Sequence, residues 1–231
     1  MIARVLWAGI IAGLIAGACA TAMHLTRLVP LIQIAETYET AAMVHDHGAA
    51  PMASAEDRQN REWEPTGLER PTLTAAADAL TGIAYGLLLV AGMTLVGRPT
   101  DKRIGLMWGL AGFIVFAAAP ALGLPPEVPG MPSADLGARQ LWWLGTAGAT
   151  AAGIVALVFA PSKLKALGVL LLLAPHVIGA PHLPEGTPGA GVPAEIAAQF
   201  VAASLLSALL FWLALGASAG HLLGRSNRPQ T

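Results

Sequence analysis

Apolar residues run through this chain in long unbroken blocks, without the alternation of a half-buried strand or the single stripe of a surface helix. Six blocks stand out, at residues 5–23, 73–96, 104–124, 141–160, 166–180 and 196–223. A helix needs about 20 residues to cross the hydrocarbon of a bilayer, and most of these blocks supply them. The fifth block is short and contains Pro175, and the second carries Asp78 near its start. The pattern predicts an all-α, polytopic membrane protein with six transmembrane helices. It forms a single integral membrane domain over residues 1–231, with one long external loop at residues 24–72.

Composition agrees. The 231 residues are 55% hydrophobic and 12% charged, with mean hydropathy +0.62, whereas a soluble domain carries about a quarter charged residues. The net charge of −1 excludes a generally basic nucleic-acid binder. The single cysteine, Cys19, cannot form an intrachain disulfide. Placing the N-terminus in the cytoplasm puts Arg4, Arg98, Lys102, Arg103, Lys163, Lys165, Arg225 and Arg228 inside, against the lone acid Asp101. Only Arg27, Arg58, Arg61, Arg70 and Arg139 then lie outside, among twelve acids. Lysine and arginine bias sets orientation, so six spans with both termini cytoplasmic is the expected topology. The opening MIARVLWAGIIAGLIAGACATA also has the outline of a signal peptide, with small residues from Ala18 to Ala20. Its apolar core is longer than an ordinary signal core, and cleavage would leave an odd number of spans.

With this topology His24, His45, His47, His176 and His182 sit at or beyond the outer face, and only His221 lies inward. Imidazole and carboxylate together attract cations and offer divalent metals their usual ligands. The stretch AAMVHDHGAAP carries His45, Asp46 and His47, and Gly48 and Pro51 favour an extended or turning chain there. Both imidazoles then project to one side, where they can share an ion with Asp46. Upstream, AETYET places Glu36 and Glu39 one helical turn apart, on a first helix that continues outward past a kink at Pro30. Trp142 and Trp143 fit an interfacial aromatic belt.

The third and fifth blocks end alike, in APALGLPPEVPG and APHVIGAPHLPEGTPG. This similarity predicts a parallel repeat, helices three and four duplicated as five and six. Pro120 and Pro175 would each free a backbone carbonyl near the outer end of a span. Glu127 and Glu185 would occupy equivalent places, with His176 and His182 added in the second copy. Asp78, inside a span, is a pathway residue or half of an internal pair, or else an interfacial carboxylate with access to water. The expected metal ligands are therefore His24, Glu36, Glu39, His45, Asp46, His47, His176 and His182, with Asp78, Glu127 and Glu185 along the ion's path.

No G-x-x-x-x-G-K-[ST], G-x-S-x-G, H-E-x-x-H or C-x-x-C occurs, so no dedicated enzyme is expected. Transport, if driven, draws on an ion gradient, the membrane potential or another subunit. Taken in order, AETYE, HDH, WEPTGLERP, LPPEVPG, RQLWW and PHVIGAPH resemble the CbtA family of predicted cobalt transporter subunits, over essentially the whole chain. The resemblance implies uptake of cobalt for the corrin cofactor B12, with a small single-span, histidine-bearing partner, CbtB. The expected function is a subunit of a divalent transition-metal uptake transporter. The resemblance makes Co²⁺ the expected cargo, the residues themselves suiting Ni²⁺ and Zn²⁺ equally, and no tightly bound cofactor is expected. The alternatives are a haem-binding electron-transfer anchor using His24 and His176 as axial ligands, and an assembly subunit that transports nothing.

Overall fold

Helix accounts for every regular element among residues 2–46, 67–183 and 191–226, which the computed structural model describes, with side chains described up to Tyr38 and up to Gly224 at the ends of the first and last stretches. The first rod is α1 (Ile2–Met23), a π-helical turn (His24–Leu28) and α2 (Val29–Asp46). Then come α3 (Glu69–Val96), α4 (Lys102–Phe113), a second π turn (Ile114–Ala118) and the short α5 (Ala119–Ala121). Beyond them lie α6 (Leu136–Phe159), α7 (Lys165–Ile178) and α8 (Ala194–Ser226).

Local signals explain the ends. Asp101 and Asp135 cap α4 and α6, each side chain accepting a backbone N–H three residues on at 2.8 Å. Gly97, at φ 65°, closes α3 in the left-handed conformation that favours glycine. The helix-forming run AETYETAAMV carries α2 as far as Asp46, so His45 and Asp46 lie on helical backbone and not on the extended chain expected there.

Among the described residues, five helices are long and apolar enough to cross a membrane: Ile2–Tyr38, Glu69–Val96, Lys102–Ala121, Leu136–Phe159 and Ala194–Gly224. The block expected as a further span forms only the 14 residues of α7, or about 21 Å, short of the roughly 30 Å of hydrocarbon. Pro161 and a single 3₁₀ turn (Ser162–Leu164) delay its start, and Gly179, at φ 86°, stops it. α7 nevertheless runs back along α6: Gly153 lies against Gly168, and Trp142 against the His176 ring.

Backbone contact holds the bundle together. In lipid there is little hydrophobic drive between helices, so close packing of small residues takes its place. Gly9, Gly13 and Gly17 of α1 face Gly86, Gly82 and Asp78 of α3, and a Cβ on Gly13 would overlap the Gly82 carbonyl. Gly105, Gly109 and Gly112 of α4 receive Gly216, Gly220 and Trp212 of α8 in the same way. A second stripe on α1, Ala12, Ala16 and Ala20, is buried in the main core beside Phe211, Trp212, Leu215 and Ala219 of α8. These four-residue spacings are G-x-x-x-G patterns visible in the sequence, although the apolar blocks alone did not reveal which helices they join. Exposed leucines such as Leu14, Leu88, Leu110 and Leu170 form the outer surface that lipid would cover.

These pairings are antiparallel, and they bring the starts of α1 and α4 and the ends of α3 and α8 to one end of the bundle. Arg98 lies over the Phe159 ring at 5.1 Å, which places the end of α6 there too. Arg98, Lys102, Arg103, Lys163 and Lys165 therefore share that end with both ends of the described chain. At the opposite end a smaller core of Ala35, Val128, Val192 and Phe200 ties α2 to the start of α8 and the loop after α5.

The helix pairing gives the repeat no support. α4 packs mainly on α8, and α6 mainly on α7, so the principal pairings run between the proposed copies and not within them. Pro120 follows a π turn, whereas Pro175 sits buried inside unbroken α-helix.

Candidate metal site

Both π turns have the same sequence cause. Each is followed, after one residue, by a proline: Val29–Pro30 and Ala119–Pro120. A proline has no N–H to donate to the carbonyl one turn back, and its ring crowds that carbonyl. The backbone responds by widening, so that Val29 N–H bonds His24 O and Ala119 N–H bonds Ile114 O, five residues back. Such turns open a helix locally and often border functional sites. Here both border one cavity of about 260 Å³. His24 and Leu28 come from the first turn, Phe116 and Ala117 from the second, Asp78, Thr81 and Tyr85 from α3, and Ser204, Ser207, Phe211 and Trp212 from α8.

His24 and Asp78, distant in sequence, are joined in the wall of this cavity. His24 Nδ1 lies 2.9 Å from Asp78 Oδ1 and 3.0 Å from Oδ2. Thr21, one turn before His24 on the same face of α1, lies 2.9 Å from Asp78 Oδ2 and 3.0 Å from the Gly17 carbonyl. Its single proton can serve either acceptor. Asp78 is 9% exposed, and the direct contact of Gly17 with the Asp78 backbone fixes the spacing of the two helices at this level. A carboxylate inside a span is costly without a partner, and the imidazole supplies one. Once its Nδ1 proton is lost, the same pair presents a nitrogen and an oxygen donor to a cation.

Toward the basic end the cavity meets a cluster of rings. Phe116 stacks on Trp212 with centroids 5.4 Å apart and planes at 4°, and Tyr85 lies 5.1 Å from Phe116 and 5.0 Å from Trp212. On another side Phe116, Ala117, Ser204 and Ala208 also line a groove of about 600 Å³ between α5, α6 and α8. Glu127 and Arg139 lie in that groove, joined by a 2.6 Å bond from Arg139 Nη2 to Glu127 Oε2.

The other expected site residues disperse. Glu36 is bound by Arg70 at the start of α3, through two nitrogen–oxygen contacts of 3.0 and 3.4 Å. His176 lies edge-on to Trp142 at 6.3 Å, and His182 is exposed after α7. Trp142 lies against the His176 ring and Trp143 against Phe116. His24 faces Asp78 while His176 faces Trp142, so the structure does not bring together the two histidines of the haem alternative. The side chains of Glu39, His45 and Asp46, together with His47 and Glu185 entirely, lie outside the described residues. Among the described residues no three His, Cys, Asp or Glu side chains cluster as a metal site. Reading the residues in order missed Thr21, Ser204 and Ser207, for which four-residue spacing on α1 and three-residue spacing on α8 were the available signals.

Over residues 2–224 the chain matches the family model described as "Probable cobalt transporter subunit (CbtA)". No curated protein and no solved structure matches it.

Proposed function

Because the chain belongs to the CbtA family of probable cobalt transporter subunits, we propose that its cavity is the intramembrane station of a divalent transition-metal uptake path, with His24 and Asp78 as the ligands. The observation that carries this reading is the pair itself. An imidazole and a carboxylate from two helices meet, largely shielded, in a cavity walled by both π turns. A purely structural ion pair needs no cavity beside it. The outer groove that shares Phe116, Ala117, Ser204 and Ala208 with the cavity is the ion's approach.

His45, Asp46, His47, Glu39, His182 and Glu185 serve in this reading as outer collectors, and a single-span partner subunit completes the transporter. The chain makes six passes in a bacterial inner membrane with both termini in the cytoplasm, the fifth being the short α7, which returns along α6. The basic end shared by the described chain's two ends supports that orientation.

Uptake of radioactive Co²⁺ by cells expressing the chain with its partner subunit tests the proposal. Asp78→Asn and His24→Ala are each expected to lower uptake at least about tenfold, as loss of a metal ligand does. His221→Ala, exposed at the far end of α8, is expected to change it little. Unchanged uptake in both cavity variants would leave the chain as an assembly subunit that carries no ion itself.

A further inference from the structure

We propose that Ser207, with Ser204 one turn before it on α8, is an oxygen subsite that holds the hydration waters of the divalent ion while His24 and Asp78 hold the ion itself. This rests on the cavity reading above and adds to it the chemical state of the ion inside the protein.

Ser207 is 2% exposed, lines the cavity, and its Oγ has no hydrogen-bond partner. Ser204 Oγ is likewise buried without a partner, and Ser204 lines both the cavity and the outer groove. A helical serine can satisfy itself by donating to the carbonyl one turn back, as Ser218 does to Ala214 O. These two do not. A buried hydroxyl without a partner destabilises a protein, and in lipid no bulk water relieves it. Two of them, spaced to share one helix face on a cavity wall, are better explained by a polar occupant than by packing.

The chemistry limits what that occupant is. His24 and Asp78 supply two ligands, and no third His, Cys, Asp or Glu joins them among the described residues. A first-row divalent ion takes four to six donors, so it must retain water. Water bound to a cation is a strong donor, and a neutral serine oxygen accepts from it without adding charge. The subsite therefore suits a partly hydrated divalent ion crossing from groove to cavity, whereas two additional thiolates or carboxylates would strip and trap it.

The two possible roles of Ser207 move stability and binding differently. An incidental hydroxyl, replaced by alanine, leaves ion affinity unchanged. A hydroxyl kept for water around the ion gives Ser207→Ala a metal-free melting temperature at or above wild type together with weaker Co²⁺ binding. The experiment uses the full chain purified in detergent, with melting followed without metal and Co²⁺ affinity by equilibrium dialysis. Ser207→Ala is expected to raise the Co²⁺ Kd about tenfold, and Ser204→Ala/Ser207→Ala further, within the range for groups that support metal ligands. Wild-type affinity in the double variant overturns the subsite, as does a lower metal-free melting temperature, which would mean the hydroxyl has a structural partner. Asp78→Asn separates the two levels. If it loses Co²⁺ binding while the serine variant keeps it, only the subsite fails. If Asp78→Asn also binds as wild type does, the cavity reading has failed first.

Discussion

His24–Asp78 and Glu127–Arg139 are both acid–base pairs formed between separate segments, yet their chemistry points in opposite directions. Arg139 offers only donors, never a lone pair for a metal, and grips Glu127 at 2.6 Å. Glu127 is thereby neutralised in place. Asp78 is held by an imidazole, whose ring nitrogen donates to the carboxylate in one tautomer and stands beside it as a ligand in the other. Glu36 behaves as Glu127 does, paired with Arg70 away from the basic end. A carboxylate in a metal-transport protein is thus better judged by the base it faces than by its depth or side of the membrane.

The strongest way to break this contrast is to remove the support beneath the cavity pair. A side chain at Gly17 would lie 2.7 Å from the Asp78 carbonyl and 3.1 Å from Ala79 Cα, both backbone atoms. Gly17→Leu is expected to cost about 3 kcal/mol or more and to part α1 from α3. Detergent melting measures it, and a wild-type melting temperature would show that glycine contact does not position the pair. At the rim, Arg139→Gln leaves Glu127 partly buried without its cation, at an expected cost of about 1–3 kcal/mol. The double variant Glu127→Gln/Arg139→Gln should recover most of that stability and retain Co²⁺ uptake. Loss of uptake there, with stability restored, would make Glu127 as much a pathway group as Asp78.

Smaller effects sharpen the ranking. His176→Ala removes one ring contact with Trp142, for an expected loss of about 0.5–1.5 kcal/mol in melting, and uptake close to wild type. A collapse of uptake instead would return His176 to the ion's path. Glu36→Gln, at a half-buried pair near the helix ends, should change stability by no more than about 1 kcal/mol. A larger change would mean that α2 depends on this contact to stay docked on α3.

Much of this was legible in the residues. The apolar blocks, the loop charges and the kink at Pro30 describe helices, their ends and a break. Asp78 stood out as a group needing a partner or water, an internal pair being one of the options, because ionised groups in a span are costly alone. What the residues in order could not disclose was the partner. His24 and Asp78 lie on opposite faces of a helix contact whose register is set by Gly9, Gly13 and Gly17 meeting Gly86 and Gly82. The likeness of the Pro120 and Pro175 segments misled for a related reason. A proline specifies a missing donor, while the neighbouring helices decide whether the backbone widens or stays α-helical.

Hydropathy and charge act on each segment separately, so the order of residues alone determined that this chain is a bundle of membrane helices with basic ends gathered on one side. Which imidazole would neutralise which carboxylate depends on distances of a few ångströms between helices. Only packing of the whole bundle sets such distances, and only tertiary structure therefore placed His24, Asp78 and the two serines around one cavity.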